Sequence, residues 1–301
     1  MNQKNKAVMG VLMIVILFFA IIMMFAFYTF NIFKNSDMAD IEIGDGQIAV
    51  IEVEGVIMES KKTVERLQMA EEDKDVKAII LRVDSPGGAV APTQEIYDEI
   101  VRIDQKKPIY ASFGSVAASG GYYIGAAARK IYSNPGSLTG SIGVIMQFYD
   151  LSKLYEMAKV TQLNLKSGKY KDIGQPNRSM TEEEKVLLES VISGVHQQFI
   201  DDIMKRRKDK IKGEIKELAQ GQIFSGKRAY ELGLVDELGS LWSAGRKIHD
   251  ELHLKGKFGL KFIKKKKRPS IMDLVDGVEG VMQKLTPTVL QEGGPRLMFT
   301  Q

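Results

Sequence analysis

The 301-residue chain contains no cysteine, which excludes a disulfide framework, a thiolate zinc site and a cysteine nucleophile together. Histidine is scarce as well. Only His196, His249 and His253 are present, all in the second half of the chain, so few places exist for an imidazole base. Charge is missing from one long stretch: between Lys6 and Lys34 there is no charged residue, and Ala7 to Phe30 (AVMGVLMIVILFFAIIMMFAFYTF) is apolar almost throughout. That run exceeds the roughly 20 residues needed to cross a hydrocarbon core of about 30 Å. A signal peptide would have a shorter apolar region, about 7 to 15 residues, followed by a small-x-small cleavage site. The flank Asn31-Ile32-Phe33-Lys34-Asn35-Ser36 has no such site, so a retained membrane helix within residues 1–33 is expected. Lys4 and Lys6 precede the run, whereas Lys34 is soon followed by Asp37 and Asp40. This bias predicts a cytoplasmic N-terminus with the remainder outside the cytoplasmic membrane, and lipid as the partner of residues 7–30. A net charge of +4 is too small to point to nucleic acid, and the basic run Lys264 to Arg268 reads as a solvated loop.

Residues 34–46 are polar and acidic and read as a linker. The pattern then changes. Ile48 to Val53 (IAVIEV) and Ala78 to Val83 (AIILRV) are short runs rich in β-branched residues, and Thr63 to Asp73 between them has a helical pattern. A helix from Ala91 to Asp104, a strand from Ile109 to Phe113 and a helix beginning near Ser119 continue the alternation. Strand, helix and strand in this order predict an α/β fold with a largely parallel sheet, and such sheets keep their sites at the carboxyl ends of the strands. Farther on, Thr181-x-x-Glu184 matches a capping box at the head of an amphipathic helix reaching Arg207. A helix to Leu252, a strand over Phe258 to Ile263, an amphipathic segment near Ile271 to Leu285 and an irregular tail complete the chain. The tail's Leu297-Met298-Phe299, after two glycines and a proline, reads first as a disordered terminus and second as an extended segment that lies in an apolar peptide groove.

Two glycine-rich turns fall at predicted strand ends: Asp84-Ser85-Pro86-Gly87-Gly88 and Ala117-Ala118-Ser119-Gly120-Gly121. The second can present the Ser119 hydroxyl as a nucleophile, but a serine needs an adjacent base. The three histidines sit in helical patterns where a surface or boundary histidine is the ordinary occupant. A lysine is the better candidate, provided that its ordinary pKa near 10.4 is lowered by desolvation. Lys130, Lys153, Lys159, Lys166, Lys169 and Lys171 all follow the serine, and their pattern does not choose among them. The Pro-Gly-Gly turn and the Gly120 amide can supply backbone donors for an oxyanion.

The blocks VDSPGGAV, SVAASGGYYIGAAARKIYSNPGSLTGSIGVI, LKSGKYKDIGQPNRSMTEEEK and QIFSGKRAYELGLVDELGS, in that order, resemble the signal peptide peptidase A family in its short, single-domain bacterial form. The resemblance covers about Ile48 to Leu252. It implies a Clp-peptidase/crotonase-like core of repeated ββα units at 47–252, followed by a C-terminal extension at 253–301. It further implies a Ser-Lys serine endopeptidase with Ser119 as nucleophile, Lys171 as general base and Ser141 orienting that lysine. Gly87 and Gly88 match the family's oxyanion segment, with the Gly120 amide as the second donor expected from the turn itself. Remnant signal peptides and other hydrophobic peptides are the implied substrates, a homo-oligomeric ring is the implied assembly, and no cofactor or metal is expected. Two other readings share the fold: a catalytically inert membrane scaffold, and a crotonase-type acyl-CoA hydratase or isomerase, which an external, anchored domain would separate from its CoA substrates.

Overall fold

A computed structural model describes residues 46–263 together with positions 13, 16–20 and 23–25. Those N-terminal positions are helical and exposed, and among the described residues no helix is long and apolar enough to cross a membrane. The rest of the expected membrane span, the linker over 34–45, the basic run, the amphipathic segment at 271–285 and the tail lie outside the described residues.

Strand β1 (Ile48–Glu54) leads through helix α1 (Lys61–Glu72) to β2 (Ala78–Ser85), and helix α2 (Val90–Asp104) leads on to β3 (Ile109–Ala118). The three strands pair in parallel, with Val50 beside Ile80 and Ile80 beside Tyr110. They are apolar on both faces because both faces are covered. One face packs Ile51, Leu81 and Phe113 against the two crossover helices; the other packs Ile48, Ile80 and Tyr110 against the helix Leu241–Glu251. Helix α2 buries Ile96, Ile100 and Ile103, a stripe at spacings of three and four that gives it one core-facing side.

Strand β3 continues past the expected end at Phe113 to Ala118 because it changes partners. Its first half pairs with β4 (Lys130–Ser133) and its last residues pair with β5 (Leu138–Gly140), both in parallel. Short strands β6 (Ile223–Ser225), antiparallel to β5, and β7 (Glu237–Leu238), parallel to β4, extend this side. On the opposite edge β8 (Leu260–Phe262) pairs with β1, so the sheet includes residues beyond position 252. The result is a mixed, mainly parallel α/β sheet of eight strands.

A second kind of structure lies between β5 and the long helix α5 (Glu182–Arg207). Residues 144–180 contain only helix α4 (Ser152–Met157) and turns, and they leave large apolar side chains in solvent, including Leu163 at 82% and Leu165 at 92% exposure. Helix α5 begins in this arm and ends in the core. Val186, Leu187 and Val191 in its first half are exposed, whereas Phe199, Ile200 and Ile203 in its second half are buried.

Candidate active site

Four chain segments meet at the carboxyl ends of β2, β3 and β5. The residue that follows β3 is Ser119, the N-cap of helix α3 (Gly120–Ala126), and its backbone has φ 53° and ψ −121°. A side chain in that region costs on the order of 1–3 kcal/mol and needs a structure that enforces it. Here the enforcement is visible. The Ser119 N–H donates to the Gly140 carbonyl at 2.8 Å, the Ser119 carbonyl accepts from Tyr123 N–H at 2.9 Å, and Gly120 through Ala126 are all buried. The strand-to-helix turn therefore holds a half-buried Ser119 at the end of β3.

The Pro-Gly-Gly turn lies against the same turn. A Cβ on Gly87, where φ is 101°, would come within 2.7 Å of the Gly120 nitrogen and 2.9 Å of the Ser119 Cβ. At Gly88 a Cβ would stand 2.0 Å from the Ile57 carbonyl oxygen. Only glycine allows this approach at either position. The loop is held from both sides: Ile57 N–H donates to Gly87 O at 2.9 Å, and Ala89 N–H donates to Ile57 O at 2.8 Å. The Gly87 N–H is itself engaged by the buried Ser85 hydroxyl at 3.1 Å. Among the described residues the Gly88 and Gly120 N–H groups have no carbonyl or side-chain acceptor, which leaves two backbone donors beside the Ser119 hydroxyl.

Ser119, Gly88 and Gly120 open onto a pocket of about 110 Å³. Its apolar walls are Val90, Tyr123, Val144, Ile145, Val195 and Phe199. Val195 and Phe199, four residues apart on α5, were legible only as part of an amphipathic helix; their common spacing was the available signal, but nothing in it pointed to a pocket. Tyr123 shapes the floor. Its ring lies 4.8 Å from Phe199 and 4.7 Å from Tyr97 between centroids, and its hydroxyl donates to the Asp202 carboxylate. Burial first, and then the Asp202 bond, raises the Tyr123 pKa above its ordinary value; burial likewise pushes Tyr97 up to about 12. Both phenols are neutral donors over any physiological range, and the pocket floor carries no charge of its own.

Ser141 follows β5 as Ser119 follows β3, and the two strands are in register through Ala118 and Gly140. It too has a positive φ, 50°, and its N–H donates to Gln222 O at 2.6 Å. The structure thus brings Ser119, Ser141, Gly87, Gly88 and Gly120 to the carboxyl ends of β2, β3 and β5. It does not bring Lys171 there. Lys171 is an exposed residue of the arm, in a turn closed by its N–H to Gly168 O at 3.2 Å, and it is not among the residues lining the Ser119 pocket. None of the histidines lines that pocket either; His249 packs edge-on against Phe258 on the far face of the sheet. Among the described residues no cluster of acidic side chains, histidine or cysteine could hold a metal ion.

A serine on a backbone-enforced turn and two free amides lie beside an apolar pocket on a mixed α/β sheet, and comparison with known proteins gives the class as peptidase. A Clp protease family model matches residues 47–147, which include β1 to β5 and Ser119. The model described as peptidase family S49 matches residues 102–255, half of the chain. The chain belongs to peptidase family S49, within the signal peptide peptidase A family. A Synechocystis sp. protein with a provisional protease name is 40% identical over 195 residues, covering 64% of this chain and 70% of that protein. An Enterococcus faecium protein, provisionally named signal peptide peptidase SppA, is 39% identical over 58% of this chain and 51% of its own length. The chloroplastic serine protease SPPA of Arabidopsis thaliana is 35% identical over 66% of this chain but only 31% of its own length.

Proposed function

We propose that this peptidase is a membrane-anchored serine endopeptidase whose nucleophile is Ser119 and whose general base is Lys171, with remnant signal peptides and other hydrophobic peptides as substrates. The observation that carries the reading is the strained Ser119 turn facing two free amides at the mouth of an apolar pocket. In the proposed reaction the Ser119 hydroxyl adds to the scissile carbonyl carbon while Lys171 takes its proton. The carbonyl oxygen, now an anion, accepts from the Gly88 and Gly120 amides, each contributing about 3 kcal/mol. The tetrahedral adduct collapses to a Ser119 ester, and the lysine ammonium returns the proton to the departing amine. Water then adds to the ester with Lys171 again as base, releasing the acid and restoring both side chains. A pocket walled by Val90, Ile145 and Phe199 with an uncharged floor suits an apolar side chain next to the bond that is cut. In this reading Ser141, which follows β5 as Ser119 follows β3, accepts from the lysine ammonium and orients it.

Lys171 reaches Ser119 from a neighbouring copy of the chain in this reading. Two facts support it: the lysine stands outside its own chain's pocket, and the arm bearing it exposes apolar side chains that a second copy would cover. Closed around a ring, the same contact completes every site. Residues 1–33 supply the membrane helix, 34–46 the linker, 47–252 the catalytic domain on the outer side, and 253–301 an extension whose strand β8 adds to the sheet. Labelling with a serine-directed fluorophosphonate tests the chemistry. Wild-type protein is expected to react, and Ser119→Ala and Lys171→Ala are expected not to; an inert scaffold or a CoA hydratase would leave wild type unlabelled.

A further inference from the structure

Lys171 lies on an exposed arm, yet the residues on either side of it are held firmly. Tyr170 and Lys169 both donate to the Glu183 carboxylate on the first turn of α5. Asp172 accepts from Lys166 at 2.5 Å and from Arg178 at 2.9 Å, and Arg178 reaches on to Glu184 through two bonds of 2.6 and 2.9 Å. Glu184 is also the N3 residue of the capping box, accepting from Thr181 N–H at 2.9 Å while its own N–H donates to the Thr181 hydroxyl. Asp172 and Glu184 are buried at 8% and 4% exposure, in an arm whose large apolar side chains stay in solvent. This inversion is the informative point. An arm that merely awaited an apolar partner would have no reason to sequester two carboxylates. A helix cap needs only Thr181 and Glu184, not the extension through Arg178 to the residue next to Lys171.

We propose that the Asp172–Arg178–Glu184 bridge is a positioning device for Lys171, fixing the turn that presents its amine and keeping the charge around that amine balanced. The inference rests on Lys171 being the general base. Charge balance matters because a base lysine must give up its proton, and an uncompensated carboxylate nearby would hold that proton on. The groups that face the turn are Lys166, Lys169, Tyr170 and Asp172 from the arm itself, Arg178 from the segment ahead of α5, and Glu183 and Glu184 from the helix. Lys166, Lys169 and Arg178 answer Asp172, Glu183 and Glu184, so each sign is matched. Asp150, bound to Ser179 at 2.6 Å, has Lys153 beside it. Arg178 holds the Asp172 and Glu184 carboxyls well below the ordinary carboxylate range, so both are charged throughout the working range of the enzyme.

The two halves of the bridge then act with opposite sign. Arg178→Gln leaves a carboxylate in excess next to Lys171, whereas Asp172→Asn leaves a cation in excess. The test measures kcat/KM for a short apolar peptide against pH with the full chain in detergent, or the rate of fluorophosphonate labelling where turnover is low. Arg178→Gln is expected to move the acid midpoint of the profile up by about half a pH unit and Asp172→Asn to move it down by a similar amount. Arg178→Lys, which keeps the charge but loses the fork, should keep the midpoint at a reduced rate. Arg228→Gln, which breaks an exposed pair with Glu231 elsewhere, should leave the profile unchanged. Midpoints that stay fixed, or that move in the same direction, would overturn the proposal. Should Arg178→Gln fail to fold, Asp172→Asn decides alone, and an unmoved or raised midpoint overturns it. Lys171→Ala separates the layers: activity surviving there removes the base assignment and this inference with it, whereas an inactive Lys171→Ala with unmoved midpoints removes only the bridge.

Discussion

The Ser119 side of the site and the Lys171 arm are built by different physics. Ser119 stands at the end of a parallel strand buried on both faces, with its backbone fixed by Gly140 and Tyr123 and its neighbours at 0% exposure along much of α3. Lys171 stands on a segment with almost no apolar core, whose order comes from ion pairs and one helix cap. Apolar packing has no charge to screen or titrate, whereas ion pairs are weakened by salt and by protonation of their carboxylates. A nucleophile held in a strained conformation requires the first kind of support. In the proposed function the base arrives from a neighbouring chain and is better carried on the second, since an arm buried in its own core could not reach outward. Under the proposed function, the strain at Ser119 and the exposure at Lys171 are two aspects of one division of labour.

The comparison can be broken most severely at its two poles. Ser119→Ala and Lys171→Ala are each expected to lower kcat/KM by about a thousand-fold or more, and the double variant to lose little beyond either, because members of one catalytic unit are not additive. Independent, multiplying losses in peptide turnover would show that the two residues do not act as a unit. Next in size is Gly88→Ala. A Cβ has no room against the Ile57 carbonyl, so the loop must shift and one oxyanion donor is lost, at a cost of about a hundred-fold or more in kcat with KM nearly constant. A change confined to KM would show that this amide does not face the reacting oxygen. On the packing side, Phe199→Ala removes a buried wall of the pocket and is expected to destabilise the folded chain by about 3 kcal/mol, read from a denaturant midpoint. The same change should widen the pocket and favour peptides with larger apolar side chains.

The smallest effect separates the two regions by acid. The Glu184 carboxyl is drawn down to about 2, chiefly by Arg178, and the unfolded chain's glutamate titrates near 4.3. Because the folded state binds the proton less tightly, the stabilisation is present above about 4.3 and is lost as the pH falls through about 2. Pepsin cleavage should therefore concentrate within 144–184 as the pH is lowered from 4 towards about 2, with β1 to β3 still protected. Equal loss of protection in both regions would erase the distinction.

The sheet side was legible in the sequence and the arm was not. β-Branched runs at Ile48 to Val53 and Ala78 to Val83, with a helical pattern between them, were enough to predict parallel strands, and the observed spans agree closely. The extension of β3 to Ala118 was not legible, since Gly114 and Ser115 carry no strand signal and the pairing with β5 that stabilises them is a tertiary fact. Strands β4 to β7 are two to four residues each, too short for periodicity to register. The Thr181-x-x-Glu184 cap was readable because it is local; its link through Arg178 to Asp172 was not, because nothing in the spacing says which arginine a carboxylate will meet. The turn at Ser119 could be proposed from its small residues. Lys171 could be chosen from among its neighbouring lysines only by family resemblance, and the separation of that lysine from the pocket explains why spacing alone could not find it.

The central claim is that Ser119 and Lys171 from different copies of the chain form one unit. It is tested most directly by dissociating Ser119→Ala and Lys171→Ala proteins, mixing them in equal amounts, reassembling them and measuring peptide cleavage. If each site takes its serine from one copy and its lysine from the next, random mixing pairs a sound Ser119 with a sound Lys171 at about a quarter of the sites, and about a quarter of wild-type activity should return. No recovery, in mixtures whose subunits are shown by exchange of fluorescent labels to have interspersed, would contradict the claim.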